Sequence, residues 1–372
     1  MDVVRRSPDK VSWRGRRFPR TVALVVALLT VVGRAYAQET RPSVLALDTE
    51  AAVDVAVDEN GNDVTNLFFD AVASARLGRN VEAIVRPFVQ RLGATGEWNR
   101  QIWVAALRYE RAGPIGIRVD GGLIPSPVGY ANMLLRPHLN PTIAQPSSLF
   151  TPLPAVETRG PRPTLLGAVY PYGVNATVSS RWWDARVAVI DTSPLRTRRI
   201  FAQTNPPRFT NIAFGGGITP MVGLRIGTSV THGGWLKAGE VPTITQSQDA
   251  TVVTVESEYS VKYTKVAGEW TRDAMGTSHG DTSASGWFLQ GQQTLTPRWF
   301  AAARVEHMSA PALVAATNSF TSMHFNGTEE VVGFRLTPQI TLRVGHRARE
   351  AFNSSAYIHS GTMSLVWWKR WI

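Results

Sequence analysis

Apolar and polar residues alternate with a period of two along many segments of the chain. In residues 251–263, Val253 and Val255 fall on one face of an extended segment, and Glu256 and Glu258 fall on the other. This is the period of a β-strand, whose successive side chains point to opposite sides. The sequence therefore predicts strands with an aliphatic and aromatic face opposite a charged face. The same alternation recurs in residues 115–124, 182–193 and 340–350.

Proline and glycine divide the chain into segments of about ten residues, the length that a tilted strand needs to cross a bilayer. Short breaks such as 77–80 alternate with longer polar breaks such as 58–66. Sorting of loops by length is typical of an up-and-down membrane barrel, which has short turns at one end and long loops at the other. Sixteen strands are predicted, at residues 50–57, 67–76, 81–91, 100–111, 115–124, 165–179, 182–193, 210–218, 224–236, 251–263, 266–275, 285–295, 299–309, 328–336, 340–350 and 358–371.

The even strand count places both chain termini at the short-turn end, which is the periplasmic end of bacterial barrels. The predicted fold class is all-β, a transmembrane antiparallel up-and-down β-barrel with periplasmic termini. Its apolar stripe would contact membrane lipid and its charged stripe would contact water. A water-soluble sheet shows the same period, so a secreted β-sandwich binding protein remains an alternative.

Tryptophan placement favours the membrane barrel. Eleven of the twelve Trp follow residue 37, and all but Trp270 lie near the ends of predicted strands. Amphipathic indole rings fit best at the two membrane interfaces, so we expect two aromatic girdles. One girdle would comprise Trp182, Trp183, Trp299, Trp367, Trp368 and Trp371, and the other Trp98, Trp103, Trp235 and Trp287.

The first 37 residues are predicted to be a cleaved signal peptide. A basic stretch precedes the apolar run 21–32, which is too short to span a membrane, and a small-x-small cleavage signal ends at Ala37. The predicted mature chain has a lead-in at residues 38–49 and a barrel at 50–372. Without the 8 basic and 2 acidic leader residues, the net charge falls from +11 to +5. That balance argues against a nucleic-acid partner, and without cysteine the fold has no disulfides.

These features resemble bacterial outer-membrane porins of the sixteen-strand general and phosphate-selective superfamily. The segment 116–129 is similar to the porin strand that runs into a Pro-Gly turn before the constriction loop. Porins usually end on an aromatic residue, whereas this chain ends Trp371-Ile372, so the terminal signal is shifted by one residue. The resemblance implies a passive channel for small hydrophilic solutes in the bacterial outer membrane, surrounded by lipid and often assembled as a homotrimer.

Residues 125–164 form the longest break between predicted strands. The segment has nine prolines, which restrict the chain and let a long loop keep one shape without regular structure. Its apolar residues, among them Met133, Leu135 and Phe150, argue against disorder. The resemblance implies that this loop folds into the barrel and narrows the channel. An outer cap or a loop that contacts a partner is the alternative.

Charged residues on the predicted inward faces are the candidates for lining this channel. Arginine predominates among them, which predicts a water-filled pore that prefers anions. For each residue, the alternative role is an ion pair that only stabilises the wall. Glu269 and Asp273 are also expected to face inward. The candidate pore-lining and constriction residues are Arg86, Arg108, Arg118, Asp120, Arg136, His138, Asp184, Arg186, Arg225, Glu256, Glu258, Arg335, Arg343 and Arg347.

Other motifs are weak, and we predict no catalytic, cofactor or metal site. The run Gly215–Gly217 opens no helix, so it is interpreted as a kink or close packing in a strand rather than a phosphate loop. An outer-membrane enzyme such as a barrel lipase is the alternative function. For that function, Ser309 and His307 are the nearest possible catalytic pair.

Overall fold

The computed structural model describes residues 44–167, 170–197, 208–352 and 354–371. The predicted signal peptide, and residues 38–43 of the predicted lead-in, lie outside these ranges. The first strand begins at Leu45, inside the predicted lead-in and five residues before the predicted start of the barrel. No helix in the described ranges is long and apolar enough to cross a membrane.

Sixteen strands and a single-turn 3-10 helix (η1, Ala131–Leu135) make up the regular structure of the described residues. The strands are β1 (Leu45–Asp58), β2 (Asp63–Arg76), β3 (Val81–Arg91), β4 (Trp98–Arg111), β5 (Gly116–Leu123), β6 (Tyr172–Ser179), β7 (Trp183–Ile190), β8 (Asn211–Met221), β9 (Leu224–Leu236), β10 (Gln248–Val261), β11 (Thr264–Met275), β12 (Thr282–Thr294), β13 (Trp299–Val314), β14 (Ser319–Arg335), β15 (Ile340–Ala351) and β16 (Ser354–Arg370).

The strands form one closed antiparallel barrel, as predicted. Each strand pairs with its neighbours in sequence, and β1 closes the ring by pairing with β16, with Val53 opposite Leu365. In a closed barrel every strand has a neighbour on both sides, so the backbone groups of each strand are paired by hydrogen bonds. Strands can cross a membrane only under this condition. The secreted β-sandwich alternative is therefore excluded. Strand β16 ends beside the start of β1, and the Trp371 amide donates to the Leu47 carbonyl.

The two faces of the wall are those that the alternation predicts. Val255 is 44% exposed on the outside, whereas its neighbour Glu256 is 4% exposed on the inside. The predicted girdles are wrong at three positions, because Trp103, Trp235 and Trp368 face the inside of the barrel. Trp103 and Trp235 are buried. Trp103 stacks on Phe88 and Tyr170, the Trp235 indole donates to the Gly276 carbonyl, and the Trp368 ring stacks on His138.

Two boundaries differ from prediction for identifiable reasons. Strand β6 begins at Tyr172 rather than 165, because Leu165 and Leu166 are buried in the preceding loop. The predicted long loop 310–327 is mostly strand, since β13 reaches Val314 and β14 starts at Ser319. The outward residues of this hairpin are polar, as in a loop, but the hydrogen-bonded pairing of β13 with β14 continues as far as Val314 and Ser319.

An outward apolar position gives a direct test of the lipid-facing wall. Changing Val255 to arginine is expected to lower the free energy of unfolding in lipid vesicles by about 2–4 kcal/mol, because a charge on the lipid face must be buried in hydrocarbon. The control is Tyr263→Arg in the turn after β10, where a cost of about 0–1 kcal/mol is expected at the interface. Urea titration of both variants measures the difference, and equal costs would contradict the assignment of the faces.

Candidate functional site in the lumen

The segment between β5 and β6, called here the inner loop (residues 124–171), contacts the inner wall at well-separated places. The Glu269 carboxylate on β11 accepts the amides of Tyr130 and Ala131. Glu50 on β1 accepts the amide of His138, at 2.5 Å. Strands β12 to β16 separate these two contacts around the ring. The inner loop therefore crosses the interior of the barrel.

Two further carboxylates hold the next part of the inner loop. Glu329 accepts the amides of Ile143 and Ala144 at 3.0 and 2.9 Å. Glu306 accepts both the amide and the hydroxyl of Ser147, at 2.8 and 2.6 Å. Such charge-assisted bonds are stronger than neutral ones, and they pair loop amides that would otherwise be buried without acceptors.

Arginines on the same wall bind the carbonyl groups of the inner loop. Arg343, only 2% exposed, donates to the carbonyls of Pro137, Asn140 and Thr142 at 3.1, 2.8 and 2.6 Å. Arg304 donates to the carbonyls of Ala144 and Gln145 and pairs with Glu329 at 3.0 Å. The structure thus places Arg343, a predicted pore-lining residue, beneath the inner loop, where it acts as an anchor.

Arg86 is also covered rather than open to the lumen. Its guanidinium lies 2.6 Å from Asp70, donates to the Tyr170 hydroxyl at 2.5 Å and lies 4.8 Å from the centre of the Trp103 ring. Trp103 stacks on Phe88, with ring centroids 3.7 Å apart. Burial raises the pKa of the Tyr170 phenol, so this hydroxyl remains protonated beside Asp70.

Two predicted constriction residues, Arg136 and His138, lie on the inner loop beside Glu50. The separations are 3.4 Å from Arg136 Nε and 2.9 Å from His138 Nδ1. The His138 ring also stacks on Trp368, with centroids 5.1 Å apart. Both residues fix the inner loop to the seam between β1 and β16.

A second set of arginines follows the wall from β4 to β9. We call Arg108, Arg118, Arg186 and Arg225 the arginine row. Arg108 and Arg118 both bind Asp120, at 2.7 and 2.9 Å, and the Arg118 side chain remains 44% exposed. These side chains reach the lumen without donating to the inner loop.

Farther along the row, Arg225 bridges two carboxylates. It lies 3.0 Å from Asp184 and 2.6 Å from Glu256. Arg186 lies 3.8 Å from Glu256, and its Nε and Nη2 have no hydrogen-bond partner in the described residues. These two nitrogens are buried, so Arg186 acts on the lumen through its charge and not through hydrogen bonds to a solute.

The glycine run on β8 forms the floor under these two arginines. Gly215 and Gly217 are inward positions of the strand. A Cβ at Gly215 would lie 2.7 Å from Arg186 Nε, and a Cβ at Gly217 would lie 2.8 Å from Arg225 Nη2. Close packing was predicted for this glycine run, and the structure shows what packs there. The guanidinium groups of Arg186 and Arg225 lie against the backbone of β8, because glycine has no side chain to keep them away.

The remaining candidates lie apart from one another. Glu258 binds Lys265 at 2.8 Å and accepts from the Tyr130 hydroxyl at 2.6 Å. Burial raises the pKa of that phenol. Arg335 donates to the Pro297 carbonyl in the β12–β13 turn, at the short-turn end. Arg347 lies 3.8 Å from Glu306.

Several functional residues were missed by sequence reasoning. The anchors Glu306, Glu329 and Arg304 were left out, although continued alternation through β13 and β14 places all three on the inward face. At the long-loop end, Glu157 of the inner loop accepts the amide and hydroxyl of Ser278, at 2.7 and 2.6 Å. Glu157 lay within the predicted loop, and nothing in its local sequence indicated a role.

The candidate catalytic pair does not assemble. The His307 ring bonds Asn326 at 2.8 Å, and the Ser309 hydroxyl bonds Ser322 at 3.1 Å. Both side chains point outward from the barrel, and each is paired with a different residue.

Comparison with known proteins identifies the fold. No family model and no curated protein sequence matches the chain. Among solved structures, the chain is similar to OmpF of Salmonella typhi in complex with daunomycin, with a TM-score of 0.59, 7% identity, and 87% of this chain and 97% of that chain covered. It is also similar to OmpT, an outer membrane protein of Vibrio cholerae. The in-vitro folded form has a TM-score of 0.57, 8% identity and coverages of 90% and 100%. For the trimer form, the TM-score is 0.55, with 8% identity and coverages of 87% and 99%. The chain therefore has the closed-barrel fold of bacterial outer-membrane proteins, with an apolar belt that faces lipid.

Proposed function

We propose that the protein is an outer-membrane porin, a passive diffusion channel for small hydrophilic solutes that prefers anions. The observation that carries this proposal is the arginine row, which reaches the lumen beside a stretch of the inner loop that lacks acidic groups. Residues 125–156 contain no aspartate or glutamate, and the inner loop contributes Arg136 instead. Wall charge and pore width set permeation in such channels.

The exposure of the arginine row supports anion preference. Its four arginines are accompanied by four carboxylates, Glu82, Asp120, Asp184 and Glu256, so the formal charges balance. The Arg118 side chain is nevertheless 44% exposed whereas its partner Asp120 is 3% exposed, so a passing solute meets the guanidinium of this pair. A cation would meet no exposed carboxylate that lacks a guanidinium neighbour within this row.

The proposal also covers the orientation of the barrel in the membrane, its oligomeric state and its porin superfamily. The short-turn end, where β1 starts and β16 ends, would face the periplasm, as in single-chain bacterial barrels. A homotrimer is proposed from the similarity to the trimer form of OmpT. Membership of the general and phosphate-selective porin superfamily is proposed from the resemblance of the segment before the inner loop.

Reversal potentials test the proposed selectivity. In planar bilayers with a tenfold KCl gradient, single channels are expected to show a reversal potential with the sign of chloride permeation. Anion preference should weaken at high salt, because mobile ions screen the wall charge within about 10 Å at 0.1 M and about 3 Å at 1 M. A potassium-selective channel would contradict the role of the arginine row, and absence of conductance would contradict the porin assignment.

A further inference from the structure

A pocket of about 210 Å³ lies inside the barrel, between the inner loop and the wall of β1 to β3. Asp54 and Asn66, which pair across β1 and β2, line one part of it, and Gln90 of β3 lines the next. Inner-loop residues as far as Gln145 form the opposite side. Because Asn66 and Gln90 lie close to the long-loop ends of their strands, the pocket lies in the outer part of the lumen.

Apolar side chains contribute part of the pocket lining. Phe68, the next inward residue of β2 after Asn66, lines the pocket together with Leu134 and Leu135 of the inner loop. The Phe68 ring packs edge-on against Phe88, with centroids 4.9 Å apart, so it is held in place. Binding sites for small molecules commonly combine an apolar or aromatic surface with a few polar groups that orient the ligand. This pocket has such a surface.

Side-chain amides supply most of the polar groups in the pocket. Those of Gln90 and Gln145 form no hydrogen bond with a described residue, and their atoms are not buried. The Asn66 carbonyl oxygen accepts the Gly93 amide at 3.0 Å, which leaves the Asn66 NH2 group without a partner among the described residues. An amide both donates and accepts hydrogen bonds, as a hydroxyl group does, so these groups suit a ligand rich in hydroxyls.

The pocket has little net charge. Asp54 is the one charged residue among the described residues that line it. Ser364, directly opposite Asp54 on β16, accepts from Arg343 at 2.8 Å, and the positive charge of Arg343 acts on the Asp54 carboxylate. This neighbouring guanidinium offsets the attraction of Asp54 for a cation. An anion finds no cationic group in the lining, in contrast to the arginine row.

Uncharged amides continue along the wall beyond the pocket. Asn99 on β4 lies opposite Gln90, and Gln101 donates to Asn99 at 2.8 Å. The inward face at the long-loop ends of β2 to β4 is therefore a tract of amides without a formal charge. Such a tract can bind a polar solute without the selectivity for one sign of charge that the arginine row provides.

We propose that this pocket binds an uncharged, hydroxyl-rich solute of about the size of a monosaccharide. The amides of Gln90, Gln145 and Asn66 bond its hydroxyl groups, and its apolar face packs on Phe68. Pockets for drug-sized ligands are about 300–1,000 Å³, so a pocket of about 210 Å³ suits a smaller molecule. The inference rests on the proposed channel function, because the solute reaches the pocket through the lumen.

Two measurements with glucose test the site. Saturation-transfer NMR on the full barrel in detergent reports binding directly, and chloride current through single channels in planar bilayers reports occupation of the lumen. We expect both signals to change with glucose concentration and to saturate. Gln90→Leu should raise the half-saturating concentration about fivefold in both measurements, which is the effect of one lost neutral hydrogen bond.

Gln292→Leu is the matched control, because it makes the same change at an inward amide of β12 near the short-turn end. It should leave glucose binding unchanged. Neither variant alters charge, so both should keep the reversal potential of the unmodified channel, which also shows that they fold.

Three results would overturn the inference. They are an absence of saturable glucose binding in a barrel that conducts chloride, tighter binding of ethylammonium than of glucose, and an effect of Gln292→Leu as large as that of Gln90→Leu. Glucose binding by a barrel that carries no current would instead support the pocket and contradict the proposed channel function.

Discussion

Replacing Arg186 and Arg225 together by glutamine is expected to lower the ratio of anion to cation permeability by about tenfold. Both guanidiniums lie on the glycine floor of β8 and β9 beside the lumen. Two unit charges about 12 Å from a passing ion shift the energies of an anion and a cation by about 0.7 kcal/mol in opposite directions in a medium as polar as water, and the difference of about 1.4 kcal/mol corresponds to a factor of ten. The neighbouring Asp184 and Glu256 would lose their partners and attract cations. Reversal potentials of single channels measure the change.

The control for this experiment is Arg335→Gln. It removes one positive charge, where the double variant removes two, from a side chain that donates to the Pro297 carbonyl at the short-turn end. Salt screens the charge of a side chain at the short-turn end, so we expect the ratio of anion to cation permeability to change by less than about twofold. If this variant shifted the reversal potential as far as the double variant does, selectivity would reflect total charge instead of the arginine row.

A second large effect is expected from Glu306→Gln combined with Glu329→Gln. These carboxylates accept four hydrogen bonds from the inner loop, donated by Ile143, Ala144 and Ser147. Their loss also leaves Arg304 buried without an ionic partner, a situation that typically costs about 3–5 kcal/mol. If the inner loop detached from the wall, its amides and the Arg304 guanidinium could both bind water. Detachment would therefore remove the cost of the lost hydrogen bonds and the cost of the buried, unpaired charge.

The expected result is a wider channel. We expect single-channel conductance to rise about twofold or more, and vesicles that contain the variant should swell in sugars that the unmodified channel excludes. Glu82→Gln is the matched control, because Glu82 lies on the inner wall 4.0 Å from Arg108 and does not bind the inner loop. Unchanged conductance in a variant that still folds would show that the inner loop does not limit the pore.

Turn residues and loop lengths predicted the sixteen strands of the barrel wall. Period-two alternation predicted the direction of residues such as Val255 and Glu256, because the pleat decides which side a strand residue faces. The same rule places Arg304, Glu306 and Glu329 inward within the predicted strands 299–309 and 328–336. Their local sequence did not show that they bind the inner loop, because that contact joins segments far apart in the chain.

Alternation could not predict which inward residues the inner loop covers. Arg343 and Arg186 both face inward by alternation, and their local sequences do not distinguish them. Arg343 binds a carbonyl at Pro137, 206 positions away along the chain, and is removed from channel water. Arg186 lies over Gly215, where no described residue of the inner loop forms a hydrogen bond to its Nε or Nη2.

By itself, the sequence determined the number of strands, the closed antiparallel ring and the side, lipid or lumen, that the aliphatic and charged residues of the alternating segments face. These follow from backbone geometry and from the separation of apolar and charged side chains, which are local properties. Only the tertiary structure decided which inward charges anchor the inner loop and which remain beside the channel. That division depends on where a proline-rich segment comes to lie across the barrel, and contacts between residues far apart in the chain set its position.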